Sequence, residues 1–162
     1  MSMEIATKTG HWLLITSRGS WAHLCAREEW AFTDKSRRLT EKIRLGDHGI
    51  VYLRNEEKSG SSALGGIVGF SGAPFRLTGG SMFDQLFPVR LPIRVNYVLK
   101  EPVPFRPLVQ RIDFMKHKIN WGSYLQGHAA IELAEKDYRT MIEAIMKSGF
   151  DEDQDVNVKA FS

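Results

Sequence analysis

The clearest pattern in the chain is a strict alternation over residues 89–99. Val89, Leu91, Ile93, Val95, Tyr97 and Leu99 fall on one side, and Arg90, Pro92, Arg94 and Asn96 on the other. Period two predicts a β-strand with one face on a core. Pro92 has no N–H for the ladder, so it marks an edge or a bulge. Two shorter runs are continuously apolar: Trp12, Leu13, Leu14 and Ile15, then Ile50, Val51, Tyr52 and Leu53. Each predicts a short buried strand, over 12–16 and 49–54. Residues 65–70 predict a returning strand that forms a hairpin across the polar stretch 55–64. Gly65, Gly66 and Gly69 there predict a bulge or a close backbone approach.

Helical spacing is rarer. Ser20 can cap a helix whose Trp21, Leu24 and Cys25 share one face. Leu39 and Ile43 predict a short helix over 37–44. Tyr138, Met141, Ile142 and Ile145 predict an amphipathic helix over 135–146, with Lys147 and Gly149 suited to its end. Residues 71–87 read as irregular. Pro102, Pro104 and Pro107 predict an extended connection, and Pro107 can open a short helix. Short strands without regular βαβ alternation predict an α+β class: a strongly curved sheet or small barrel with helices outside it.

Composition then bounds the picture. The chain has 162 residues, 43% hydrophobic and 25% charged, as expected of one domain with a single core. The expected division is a loose lead-in over 1–9, a domain over 10–149 and an acidic, disordered tail over 150–162. No apolar run approaches the roughly 20 residues of a membrane span, and the first residues lack a signal-peptide core. A cytoplasmic protein without a membrane partner is expected. A single cysteine, Cys25, excludes an internal disulfide and a multi-cysteine metal site.

Net charge is +3, but it is unevenly spread. Residues 76–118 hold eight bases against three acids, whereas 151–162 hold four acids against one lysine. A basic body draws phosphate and makes binding salt-dependent. Trp30 follows the first helix and precedes Lys35, Arg37 and Arg38. A flat side chain next to cations suits stacking of a nucleobase beside its phosphates. An extruded base loses a few kcal/mol, and each aromatic wall returns roughly 1–3 kcal/mol, so two walls are needed. Phe32, Phe83 and Trp121 compete to be the second. Thr16, Ser17, Thr33 and Asn120 are candidates for the polar edge of the base. Lys35, Arg37, Arg38, Lys116 and Lys118 are candidates for the phosphate track. On this reading Trp30→Ala costs base binding more than stability.

Catalysis is not expected. His11, His23, His48, His117 and His128 form no metal-binding pair at helical spacing with a nearby carboxylate. His23 and Cys25 diverge on a helix, and no glycine-rich phosphate loop follows a strand. No catalytic residue, metal or cofactor is therefore assigned. The alternative is a protein-interaction or small-molecule module that uses Met82, Phe83, Leu86 and Phe87 as an exposed patch.

Ordered segments at 11–17, 29–32, 43–47, 50–53, 66–70, 87–90, 113–122 and 126–127 resemble the EVE domain of the PUA-like superfamily, which also includes the YTH domain. The resemblance covers about 11–147 and is nearest to a prokaryotic single-domain branch, an uncharacterised protein family. It implies a small PUA-like β-barrel of about five or six strands flanked by helices. It also implies a side pocket for a flipped-out, usually methylated base in DNA or RNA, and leaves room for a partner nuclease. In that comparison Trp30 falls at one wall, Ser17 faces the base, and the loop with Phe83 lies near the second wall.

Overall fold

A computed structural model describes residues 9–54, 62–115 and 121–149. Seven strands form one mixed sheet: β1 (His11–Thr16), β2 (Glu29–Phe32), β3 (His48–Leu53), β4 (Ala63–Phe70), β5 (Phe75–Arg76), β6 (Val89–Pro104) and β7 (Ala130–Leu133). The order is β2-β6-β4-β3-β1-β7, with β5 also paired to β6. Only β1 and β3 run parallel, matching His11 to His48 and Thr16 to Leu53. The helices are α1 (Arg18–Arg27), α2 (Arg37–Lys42), α3 (Met82–Leu86), α4 (Trp121–Gln126) and α5 (Glu135–Gly149).

The long alternating segment is the spine of the sheet. β6 runs 16 residues, pairing with β2 and β5 through its first part and with β4 through the rest. Its register against β4 slips at two places, which bends the sheet. Pro92 lies opposite Glu29 of the edge strand β2, where a missing donor costs least.

Both faces of the sheet are buried, so β1 is apolar on consecutive positions. Leu13 and Ile15 join Ile50, Tyr52, Leu64, Tyr97 and Leu99 in one core, closed by Met141, Ala144 and Ile145 of α5. Trp12 and Leu14 join Trp21, Leu24, Trp30, Phe32, Val68 and Leu91 in the other. Asp137 fastens α5 by accepting the N–H groups of Asp113 and Phe114, each at 2.9 Å. Asp47 is 4% exposed and ties β1 to the turn before β3. It accepts from Trp12 Nε1 at 3.0 Å, the Gly10 N–H at 2.9 Å and the Arg44 N–H at 2.9 Å.

Several local expectations change. The cap of α1 is Ser17, whose Oγ accepts the Ser20 N–H at 3.1 Å; Ser20 is inside the helix. The tryptophan after α1 sits in a strand, because Trp30 pairs with Leu91 of β6. The stretch expected to be irregular contains β5 and α3. Arg90, assigned by period two to the solvent side, has no exposed surface. Its guanidinium is held by two carboxylates, a combination that alternation cannot reveal. Of the expected polar stretch over 55–64, residues 63–64 belong to β4 and residues 55–61 lie outside the described residues, as do residues 1–8 of the lead-in, Lys116, Lys118, Asn120 and the tail over 150–162.

Candidate nucleic-acid interface

A cleft of about 120 Å³ opens between the two ends of the sheet. Ile15 and Thr16 come from the end of β1, Trp30 and Phe32 from β2, and Phe83 and Phe87 from α3 and its C-cap. Thr33, Ser36 and Arg54 complete one side, and His128 with Ala129 the approach to β7. Arg54 carries the one fixed charge among these described lining residues.

The aromatic walls differ in kind. Trp30 is 2% exposed and Phe32 1%, so both are core side chains that reach the cleft only at a margin. The Trp30 ring lies 6.0 Å from Trp21 at 48°. Trp21 rests on Gly66, where a Cβ would meet Trp21 Cζ2 at 2.6 Å and the Tyr97 carbonyl oxygen at 2.7 Å. The close approach expected at these glycines is thus the seat of a tryptophan. This burial corrects the expectation for Trp30→Ala: emptying that volume costs about 3–5 kcal/mol of stability. Phe83 and Phe87 are half-buried and lie 4.9 Å apart.

α3 is only five residues long, and its fastening is elaborate. Ser81 Oγ accepts the Asp84 N–H, and Asp84 Oδ2 accepts the Ser81 N–H, each at 3.2 Å, forming a capping box. Gly80, at φ +99°, leaves room for that carboxylate. Asp84 Oδ1 accepts from Arg90 Nη2 at 2.6 Å. Arg90 also donates to Glu29 Oε1 and to the Phe87 carbonyl, both at 2.9 Å, and lies 5.5 Å over the Phe83 ring. The Arg90 guanidinium, through this hydrogen bond, holds the Asp84 carboxyl below the usual carboxylate range. Arg90 thus positions a cleft wall and is unavailable to phosphate.

The other candidate residues separate into groups. Thr16, Thr33 and Phe83 line the cleft. Ser17 is not a lining residue, since its oxygen is used in capping α1. Trp121 packs 5.3 Å from Phe105, with Arg106 at 5.8 Å over its ring, against the α5-side core. Lys35, Arg37 and Arg38 are exposed and line a basin with Asp34 and Glu41, next to Thr33 and Ser36 of the cleft. Asp34 is bound to Arg76, whose guanidinium lowers its carboxyl pKa. Burial pushes the Cys25 thiol up to about 12, which leaves no thiolate beside His23 at neutral pH. Among the described residues, no group of three or more His, Cys, Asp or Glu could hold a metal ion. No described helix is long and apolar enough to cross a membrane.

Sequence reasoning missed Arg54, Ser36 and His128 as lining residues and named Phe87 only for the alternative patch. Phe87 carried a signal, lying four residues after Phe83. Arg54 carried none, because only the fold brings the end of β3 to β2.

No family model matches the chain. A UPF0310 protein of Mesorhizobium japonicum is 31% identical over 111 residues, covering 64% of this chain and 70% of the relative. The chain belongs to the UPF0310 family. A UPF0310 protein of Pyrococcus abyssi is 26% identical over 147 residues, covering 84% of this chain and 99% of the relative. Solved structures relate this UPF0310 chain to PUA-like domains by fold. The YTH domain of Zygosaccharomyces rouxii MRB1, solved with N6-methyladenosine RNA, superposes with a TM-score of 0.62 at 12% identity. That match covers 89% of this chain and 92% of the domain. Human THYN1, solved with DNA containing 5-methylcytosine, gives 0.56 at 10% identity, covering 86% and 99%. The UPF0310 chain therefore has the PUA-like α+β architecture, a curled mixed sheet with flanking helices.

Proposed function

We propose that this UPF0310 protein is a non-enzymatic reader that holds one extruded, modified base of a nucleic acid in the cleft between β2 and α3. The observation that carries this reading is the grouping of Trp30, Phe83 and Phe87 around a cleft of about 120 Å³ with Arg54 in its wall. That composition suits a planar heterocycle with hydrogen-bonding edges. Phe83 and Phe87 offer ring surface, the margin of Trp30 closes the floor, and Thr16 and Thr33 supply donors and acceptors. Lys35, Arg37 and Arg38 line a separate basin on the segment that carries Thr33 and Ser36 of the cleft, and suit phosphates beside the base. Support also comes from the fold, which is shared with domains solved on N6-methyladenosine RNA and on 5-methylcytosine DNA.

A methyl mark adds on the order of 0.8 kcal/mol through burial of one carbon. Discrimination for the mark thus rests on the shape of the Phe83–Phe87 wall and on exclusion of water. The test is a binding panel of DNA and RNA oligonucleotides, each with one modified base or its unmodified parent, run against wild type and Phe83→Ala. The expected result is a preference for one modified base, with a loss of roughly tenfold or more in the variant. Equal binding of every oligonucleotide by both proteins contradicts the reading.

A further inference from the structure

Two of the most exposed large apolar side chains in the described residues stand beside the cleft. Met82 is 73% exposed and Leu86 57%. They are four apart on α3, so they share one face of that helix, while Phe83 on the neighbouring face lines the cleft, as does Phe87 at its C-cap. Single exposed apolar residues are commonplace. This pair is distinguished by its mounting. A five-residue helix has no stability of its own, yet α3 is locked by the capping box and by Asp84 on the buried Arg90 guanidinium. Those bonds hold Met82 and Leu86 outward at fixed positions.

The charge around them has a consistent sense. Asp84, the acid of α3, is buried and paired, so no free carboxylate stands on this face of the helix. Cations stand nearby: Arg54 in the cleft wall, and Lys35, Arg37 and Arg38, which outnumber Asp34 and Glu41, in the basin on the segment that carries Thr33 and Ser36. An apolar projection by a cleft, with cations nearby, matches a partner whose interior is an apolar stack and whose outside is phosphate. A base drawn from a duplex leaves a gap, and inserted Met or Leu side chains fill such gaps and offset lost stacking.

We propose that Met82 and Leu86 form a wedge that enters a base-paired duplex and holds open the step from which the cleft takes its base. This rests on the reader function proposed above. It adds that the partner is double-stranded and that the protein itself stabilises the extruded state.

The test compares wild type with the double variant Met82→Gln, Leu86→Gln, whose exposed positions leave the core intact. The probes are 5-methylcytosine oligonucleotides with 2-aminopurine next to the mark, in DNA and RNA versions. Each is presented as a single strand, a paired duplex, and a duplex mismatched at the marked base. Wild type is expected to raise 2-aminopurine fluorescence in the paired duplex. The variant is expected to bind single strands within twofold of wild type and paired duplex at least tenfold more weakly, with the mismatch restoring most of that loss. Unchanged duplex affinity overturns the wedge while leaving the reader function standing, and so does an equal loss on single strand and duplex. A change of oligomeric mass in the variant without nucleic acid also overturns it, by assigning the patch to a second copy of the chain. Failure of wild type to bind any probe overturns the wedge, and failure to bind any oligonucleotide of the modified-base panel as well overturns both proposals.

Discussion

The two faces of the sheet differ in their tryptophans and in the length of the helices that cover them. On the α5 side Leu13, Ile15, Ile50, Leu64, Leu99 and Val103, with Tyr52, Tyr97 and Phe105 among them, meet Met141, Ala144 and Ile145 along 15 residues of helix. The cleft side holds Trp12, Trp21, Trp30 and Phe32, and its cover is the ten-residue α1 and the five-residue α3. Branched aliphatic side chains interlock and seal a helix onto a sheet. Large rings spaced by short helices do not tile completely, and the cleft is what they leave. Both faces carry stability, and the comparison assigns recognition to the cleft side alone.

Breaking the α5 face should cost stability alone, by as much as any change on the cleft side. Ile145 has no exposed surface, and Ile145→Ala is expected to cost about 2–5 kcal/mol, measured by urea unfolding. Oligonucleotide affinity of the folded fraction should stay unchanged; a parallel loss of affinity would break the division between faces. A smaller effect is expected from Arg90→Met. It leaves Asp84 and Glu29 only the longer ion pairs to Arg27, at 3.5 and 3.7 Å, and loosens α3, at about 2 kcal/mol because Arg27 and some access to water still serve both carboxylates. Its distinguishing mark is a loss of binding out of proportion to the loss of stability, measured on the same protein.

Acid sharpens the contrast. Asp84 has a folded pKa below its unfolded value, so its contribution is complete above the unfolded carboxylate range and is lost as pH falls through the folded pKa. The cleft side is expected to loosen in that acid window, read by tryptophan fluorescence. Asp84→Asn should remove this dependence, and an identical acid profile in the variant would detach α3 from the titration. The smallest effect concerns α1. Glu28 caps it at φ 52°, a conformation that favours glycine. Glu28→Gly is expected to raise stability by about 1 kcal/mol, with no change in affinity.

The architecture was largely legible in the chain because its strands advertise themselves by periodicity. β6 shows its alternation from Val89 to Leu99, and α5 shows Tyr138, Met141, Ile142 and Ile145 on one stripe. The cleft was legible only in part. Thr16, Thr33 and Phe83 were named from position and type, but Ser17 and Trp121 carry the same chemistry and are used for capping and packing. α3 was missed because five residues show no helical period, and its fastening comes from Arg90, distant in structure logic though near in sequence. Nothing in the chain announces that Trp30 is buried beside Trp21, which is itself seated on Gly66.

The claim on which the rest depends is that a base enters beside Trp30. The direct measurement is the indole N–H region of a ¹⁵N–¹H spectrum during titration with the best-bound oligonucleotide. Four tryptophans give four signals, and Trp12 and Trp121 serve as internal controls on Asp47 and on Phe105. The account predicts saturable movement of the Trp30 signal, with Trp12 and Trp121 still. A stationary Trp30 signal at full occupancy, or movement of Trp121 in its place, would contradict it.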